Sequence, residues 1–153
     1  MNDMVIDWLH NELKDAASSL LRVKDHAPQR SIVYYGSEKS GKTSLLRSIK
    51  HLANSCEMAC YSIAPDSAST QIDGLVDLGK AAAETDGAIC ILVDDIHKLQ
   101  DELLLRLCSA IHRCNQLRLP VIAFCAGRPQ LLKKVGNIYP DAERLFLYRA
   151  TKN

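Results

Sequence analysis

The side chains with the clearest chemistry lie in one glycine-bounded segment in the first third of the chain. The segment fits the pattern G-x-x-x-x-G-K-[ST] in full. It consists of Gly36, Ser37, Glu38, Lys39, Ser40, Gly41, Lys42 and Thr43, with Ser44 directly after it. Glycines allow successive backbone N–H groups to point inward around an anion, and the helix predicted after the loop adds its positive N-terminal dipole. In such a loop Lys42 neutralises the β- and γ-phosphate oxygens of a nucleotide, and the Thr43 hydroxyl ligates Mg²⁺.

A second candidate site lies about fifty residues downstream, where an apolar run ends in two carboxylates. The run Ile91-Leu92-Val93 is followed by Asp94 and Asp95. At the C-terminal edge of a parallel sheet, Asp94 would hold Mg²⁺ through its water shell and Asp95 would orient an attacking water. The alternative is an ordinary strand followed by an aspartate helix cap. Because the phosphate loop precedes it, we favour the metal-binding interpretation.

The elements that must position these residues alternate along the chain. The predicted strands are Ser31–Tyr35, Glu57–Ile63, Ala88–Asp94, Pro120–Ala126 and a weaker Leu145–Tyr148. The predicted helices are Met4 to about Lys24, Lys42–Ala53, Asp73–Glu84 and Leu99–Leu117. Strands that alternate with helices pair in parallel, because each return crosses the sheet through a helix. We therefore predict an α/β fold of three layers with a mostly parallel sheet of about five strands.

Length and composition indicate a single ordinary domain. The chain has 153 residues, of which 47% are hydrophobic and 24% charged, and this excludes a disordered or low-complexity protein. We predict that residues 1–28 form an amphipathic helix packed on a core of residues 29–153. The apolar positions of this helix are Val5, Leu9, Leu13, Ala16 and Leu20. Met4, Val5 and Trp8 leave open a second interpretation, in which the helix is an exposed docking element.

Cysteines and hydropathy bear on the compartment. The sequence contains no run of about 18 apolar residues and no basic-then-apolar N-terminal block, so we expect no membrane partner and no signal peptide. The six cysteines fall mostly in apolar runs, which is typical of reduced structural thiols in a cytoplasmic protein. The nearest approach to a zinc site is Cys108, His112 and Cys114, for which a fourth ligand is not evident.

Charge is unevenly distributed along the chain. The formal net charge is +1, but residues 118–153 carry seven basic and two acidic side chains. The basic residues of this end are Arg118, Arg128, Lys133, Lys134, Arg144, Arg149 and Lys152. They are either a solvated surface or a face for phosphates, DNA or an acidic partner.

With a third segment, Leu119–Leu132, the two motifs resemble the P-loop ATPase domains of the AAA+ and STAND superfamilies. The similarity is to origin-recognition-like and transposition-type prokaryotic ATPases in particular, and it spans roughly Gln29–Tyr148. It implies ATP and Mg²⁺ as cofactors, Lys42 and Thr43 as Walker A residues and Asp94 as the Walker B residue. Asp95 stands where most AAA+ enzymes carry glutamate, and its shorter side chain implies poorer water positioning and slow hydrolysis.

The same resemblance suggests two arginine roles. Arg128 stands where the family places a polar γ-phosphate sensor. Arg144, in a short helix before the last strand, is a candidate arginine finger for a neighbouring subunit's nucleotide, and a solvated arginine is the alternative. AAA+ proteins continue into a helical lid, and this sequence ends just past its last predicted strand. We therefore expect no lid domain, and a partner chain or second copy that supplies lid or finger functions.

These observations lead to two main hypotheses. The first is a Mg²⁺-dependent ATPase that acts as a nucleotide switch for a partner protein or a DNA-associated assembly. The second is a nucleotide-gated or hydrolysis-deficient interaction module on the same fold. A kinase-type enzyme ranks third, because the segment Ser67–Gln71 lacks an arginine-rich lid. No [NT]KxD segment follows the acidic strand, so we do not expect guanine selection.

Overall fold

The computed structural model of the chain describes residues 3–37 and 40–151, with side chains from residue 6 onward in the first helix. The helices are α1 Asp3–Lys24, α2 Lys42–Ser55, α3 Ala68–Asp73, α4 Leu75–Glu84, α5 Asp101–Gln116, α6 Leu131–Ile138 and α7 Ala142–Leu145, with a 3₁₀ turn at Ile96–Lys98. The strands are β1 Ser31–Tyr35, β2 Ala59–Ser62, β3 Ile89–Val93, β4 Val121–Gly127 and β5 Phe146–Ala150. No helical lid follows these elements within the described residues.

The five strands form one sheet in the order β2-β3-β4-β1-β5, and every pairing is parallel. The predicted α/β fold is therefore confirmed, and the sheet is wholly rather than mostly parallel. Strand β4 lies between β1 and β3, so the C-terminal ends of these three strands are adjacent at one edge of the sheet. That edge carries the phosphate loop after β1 and the two carboxylates after β3.

Alternation along each strand divides the core into two halves, because successive side chains point to opposite faces of a sheet. On β3, Ile89, Ile91 and Val93 pack in the half beneath α3 to α7, whereas Cys90 and Leu92 pack in the half beneath α1 and α2. All five residues of β3 are buried. Covering on both faces explains why this strand is continuously apolar in sequence.

Three elements differ from the sequence prediction. Helical structure begins at Ala68 and is interrupted at Gly74, where we predicted one helix over Asp73–Glu84. Strand β2 is shorter than Glu57–Ile63, because Glu57 has a φ of 61° in the turn that follows α2. Helix α6 was not predicted. It buries Leu131 and Val135 and partly buries Ile138, which is a helical spacing, but eight residues are fewer than the roughly 11–18 over which a period can be counted.

Helix α1 packs against α2 and the sheet. Its most buried apolar residues are Trp8, Ala16, Leu20 and Val23, and Leu9 and Leu13 pack partly buried beside them. Trp8 is 7% exposed, so it does not lie on an open surface. The side chains of Met4 and Val5 lie outside the described residues.

Two ion pairs on Arg149 fix α1 to the last strand. Glu12, which is 6% exposed, pairs with Nε of Arg149 at 2.6 Å, and Asp15 pairs with the Nη2 of the same arginine at 3.0 Å. Burial, with a further contribution from Glu12, raises the pKa of the adjacent Tyr34 hydroxyl well above its usual range. A buried carboxylate with a bonded arginine costs far less than an unpaired one, so this pair helps to hold α1 in place.

The described residues contain neither a membrane-spanning helix nor a protein-only metal cage. No helix in these ranges is long and apolar enough to cross a bilayer. No three His, Cys, Asp or Glu side chains in these ranges are grouped to hold a metal ion. Cys108 and Cys114 are buried in the core, and His112 Nδ1 is hydrogen-bonded with the Tyr139 hydroxyl instead.

Candidate functional site

The phosphate loop connects the end of β1 to the start of α2. Gly41 is the N-cap of α2 with φ 88° and ψ 8°, a left-handed conformation that glycine adopts without a Cβ penalty. At Gly36 a Cβ would lie 1.7 Å from Oγ1 of Thr151, so a side chain there would have to displace that of Thr151. Glu38 and Lys39, which we predicted as part of the loop, lie outside the described residues. Both glycines of the pattern therefore have a steric cause.

Lys42 lies at the centre of the loop. Its side chain is 7% exposed. Nζ donates hydrogen bonds to the Gly36 carbonyl at 2.7 Å, to the Ser37 carbonyl, and to Ser40 Oγ at 3.3 Å. Ser40 Oγ in turn donates to the Ser37 carbonyl at 2.7 Å. The loop is thus folded around the ammonium group, which concentrates positive charge where the backbone turns.

Contacts between side chains join the phosphate loop to the acidic strand end. Thr43 Oγ1 donates to Asp94 Oδ2 at 2.8 Å, although 51 residues separate the two in sequence. The second carboxylate oxygen of Asp94 accepts a hydrogen bond from the Asp95 backbone N–H at 2.9 Å. Both oxygens of Asp94 are therefore oriented, and a hydroxyl and a carboxylate are hard-oxygen ligands of the kind that Mg²⁺ prefers. Ser44 is exposed in the first turn of α2, beside Thr43.

The charges of this cluster explain how a metal fits there. Burial lowers the pKa of Lys42, and the carboxylates Asp94 and Asp95 oppose that effect. A nucleotide phosphate beside Lys42 would be repelled by the same two carboxylates unless a cation lay between them. Magnesium usually keeps several waters and takes one or two protein oxygens together with phosphate oxygens. The Thr43 and Asp94 oxygens therefore fit Mg²⁺ as part of a shell that phosphate oxygens would complete.

Asp95 has an unusual backbone conformation. Its φ of 50° and ψ of 43° are left-handed, and it is the N-cap of the 3₁₀ turn Ile96–Lys98. Aspartate tolerates this region better than most residues, but the conformation is still uncommon outside glycine. The carboxylate is 49% exposed and pairs with Lys98 Nζ at 3.5 Å. Asp95 thus points toward solvent at the strand edge, while its neighbour Asp94 is engaged by Thr43.

His97 lies at the same edge, and sequence reasoning missed it. The Arg128 backbone N–H donates to His97 Nδ1 at 3.2 Å, which links the turn after β3 to the end of β4. Burial lowers the pKa of His97, with Lys98, Lys42 and Lys134 acting in the same direction and Asp95 opposing them. The available signal was a histidine two residues beyond the paired carboxylates. Since Nδ1 accepts this hydrogen bond, the neutral ring carries its proton on Nε2.

The lowered pKa of His97 predicts an acid-sensitive contact. On acidification the His97 ring takes up a proton more readily in the unfolded chain than in the folded one. His97 therefore contributes to stability above its pKa in the unfolded chain, about 6.5, and that contribution is lost as the pH falls toward its lower pKa in the folded chain. His97→Asn retains an acceptor for the Arg128 N–H but cannot titrate. We expect its urea midpoint to fall less than that of wild type between about pH 7.5 and pH 5.5. His51→Asn, at an exposed histidine of α2, is the control, and equal losses in wild type and His97→Asn would contradict the prediction.

The two predicted arginine positions lie at opposite ends of the parallel strands. Arg128 directly follows β4, at the edge of the phosphate loop. Arg144 lies two residues before Phe146, which pairs with Ser31 at the start of β1. The length of β1 separates these two ends of the strands by about 16 Å, at ~3.3 Å per residue. Arg144 is therefore distant from this chain's own phosphate loop, and a role at a nucleotide would involve that of another subunit.

The basic C-terminal end is not one surface. Arg149 pairs with carboxylates of α1, and Lys134 Nζ donates to the carbonyls of His97 and Leu99 at 3.2 and 2.7 Å. Arg118 and Arg144 line a cavity at the edge opposite the phosphate loop. Lys152 lies outside the described residues. The described basic residues of this segment therefore do not share one face, because parallel strands carry residues close in sequence to opposite ends of the sheet.

No family model matches the sequence, and no curated protein matches it. Solved structures do: PCH-2 of C. elegans aligns with a TM-score of 0.64 at 15% identity, over 95% of this chain and 43% of that one. AMPPCP-bound DnaA from Aquifex aeolicus aligns with a TM-score of 0.62 at 20% identity, over 93% and 45%. The Aeropyrum pernix ORC1 protein in complex with DNA aligns with a TM-score of 0.60 at 17% identity, over 94% and 44%. This chain thus spans less than half the length of these three proteins, and the likeness is one of fold.

Proposed function

We propose, from the AAA+ P-loop NTPase fold of this chain, that it binds ATP with Mg²⁺, hydrolyses it, and acts as a nucleotide switch for a partner protein or a DNA-associated assembly. The observation that carries the proposal is the 2.8 Å contact between Thr43 and Asp94 beside the Lys42 ammonium. It brings together the groups that a phosphate cradle and a metal ligand pair would use. The neighbours bound to AMPPCP and to DNA support both halves of the proposal.

Binding would use the loop and the start of α2. Backbone N–H groups of the loop and the N-terminal dipole of α2 would accept the phosphates. Lys42 would exchange its hydrogen bonds to the Gly36 and Ser37 carbonyls for bonds to β- and γ-phosphate oxygens, which carry full charge. Thr43 and Asp94 would hold Mg²⁺, which neutralises charge on the phosphates.

Hydrolysis would depend on Asp95 and on a second subunit. Asp95 would orient the attacking water, and its short side chain makes slow turnover the expected behaviour of the isolated chain. Arg144 would act at a neighbouring molecule's nucleotide, since it lies at the edge opposite its own loop. Arg128 would sense the γ-phosphate from the end of β4. We further propose a cytoplasmic location, with which the six free cysteines agree.

A hydrolysis-deficient interaction module is the second candidate. The Asp95 carboxylate pairs with Lys98 at 3.5 Å, and this contact competes with the positioning of a water. In that case nucleotide would bind and bias the partner surface without turnover.

Turnover measured against protein concentration separates the two candidates. If a neighbour supplies the finger, phosphate release per molecule should rise steeply with protein concentration. Arg144→Ala should abolish the rise, whereas Arg113→Ala, at an exposed arginine of α5, should not. Nucleotide binding without turnover at any concentration would favour the module, and failure to bind Mg²⁺-ATP would overturn the proposal as a whole.

A further inference from the structure

A cavity of about 760 Å³ opens at the sheet edge opposite the phosphate loop. Its walls are the end of α1, the segment before β1, the segment before β4, and the α7–β5 junction. Four arginines line it, one from each wall: Arg22, Arg30, Arg118 and Arg144. No aspartate or glutamate is among its lining residues in the described part of the chain. The topology causes this convergence, because β4, β1 and β5 are neighbours and begin at this edge.

The four guanidinium groups are available to a ligand. All four arginines are exposed, and none forms an ion pair with a carboxylate of the described residues. Arg149, by contrast, is neutralised by Glu12 and Asp15. The whole chain has a net charge of +1, so the cavity concentrates positive charge that the remainder of the molecule lacks.

The backbone beneath one of these arginines is well defined. Arg118 has a φ of 54°, and hydrogen bonds from its own N–H to the Asn115 carbonyl at 3.1 Å and from Leu119 N–H to the Cys114 carbonyl at 2.9 Å close the turn. This is a common C-terminal cap of a helix, and the turns after α1, α2 and α4 have the same bond pattern at His26, Glu57 and Asp86. The turn sets the starting point of the Arg118 side chain at the rim of the cavity.

We propose that this cavity binds the phosphodiester backbone of a nucleic-acid strand. Guanidinium groups match phosphate oxygens in bidentate geometry, and several of them along one cavity match the regularly repeated charge of a nucleic-acid backbone. No Phe, Tyr or Trp is among its lining residues in the part of the chain that the structure describes, so we expect contacts mainly to the phosphates rather than stacking of bases on large aromatic rings. The expected binding is therefore independent of base sequence and strongly dependent on salt.

This site is separate from the proposed nucleotide site. The cavity and the phosphate loop lie at opposite ends of β1. Nucleic-acid binding is therefore expected without nucleotide and in the Lys42→Ala variant, so its failure and a failure of ATP binding are distinguishable. A finger at a neighbouring nucleotide requires Arg144 alone, so Arg22, Arg30 and Arg118 remain for an extended ligand.

The test is fluorescence anisotropy with a labelled single-stranded oligothymidine of about 15 nucleotides, titrated with the full chain at several salt concentrations. Four phosphate contacts predict a slope of log Kobs against log salt of about −2.8. Arg22→Gln/Arg118→Gln should reduce the slope to about −1.4 and weaken binding about tenfold. Arg47→Gln/Lys80→Gln removes the same charge at exposed positions of α2 and α4 and should bind like wild type. Circular dichroism checks that both double variants are folded.

Four results would overturn the proposal. The first is no binding of oligothymidine by wild type at low salt. The second is equal loss in the two double variants, which would show a diffuse charge effect. The third is equal competition by polyglutamate at the same charge concentration, which would make the occupant an acidic protein surface. If arginine substitutions in the cavity alter only ATP-dependent self-association, the cavity serves a second copy and the proposal is equally wrong.

Discussion

Lys42→Ala is expected to weaken Mg²⁺-ATP binding by at least about a hundredfold. Lys42 is the buried cation of the loop, and each hydrogen bond between a charged donor and a phosphate contributes about 1.5–3 kcal/mol. Loss of two such bonds corresponds to about 3 kcal/mol or more, and each ~1.4 kcal/mol is a factor of ten in affinity. Isothermal titration calorimetry with Mg²⁺-ATP measures the change directly.

Two controls make this prediction specific. Lys50→Ala removes the same charge from an exposed position of α2 and should retain wild-type affinity. The alanine variant also leaves the Gly36 and Ser37 carbonyls without their donor, so its fold must be checked by thermal unfolding. Lys42→Gln retains a donor but no charge, and it should bind almost as weakly as Lys42→Ala. Affinity within threefold of wild type in a folded Lys42→Ala would rule out the proposed phosphate site.

Asp95→Asn is expected to separate binding from turnover. Positioned acid–base groups contribute about 10²–10⁴-fold to rate, so turnover at saturating Mg²⁺-ATP should fall by at least about a hundredfold. Affinity should change little, because the substitution retains the Asp95 backbone N–H that orients Asp94. Asparagine also tolerates the left-handed backbone found at this position.

The measurement is single-turnover hydrolysis beside an equilibrium titration. Asp77→Asn, an exposed carboxylate in the first turn of α4, is the charge-matched control. Equal turnover in wild type and Asp95→Asn would remove Asp95 from the mechanism. Asp94→Asn, in contrast, should impair Mg²⁺-dependent binding itself, since its carboxylate contacts Thr43.

Local chemistry made much of this protein predictable from sequence. The phosphate loop is defined by residues adjacent in the chain. The backbone conformation of Gly41 and the close contact at Gly36 favour glycine, so both positions can be recognised in the sequence. Strand β3 was predicted to within one residue at either end, because a strand covered on both faces is continuously apolar. Helix α6 was not predicted although Leu131, Val135 and Ile138 have a helical spacing, because eight residues are shorter than the window of about 11–18 in which a period is counted.

The sequence by itself therefore determined the kind of fold and the positions of the glycine-bounded loop and of the acidic strand end. Only the tertiary structure decided which distant residues meet. The strand order brings Thr43 to Asp94, and His97 to the backbone N–H of Arg128. It also places Arg149 beside the carboxylates of α1 and brings four arginines from separate walls to one cavity. The physical reason is that hydrophobic periodicity specifies which face of an element is buried. It does not specify which strands become neighbours, and neighbouring strands are what bring these side chains together.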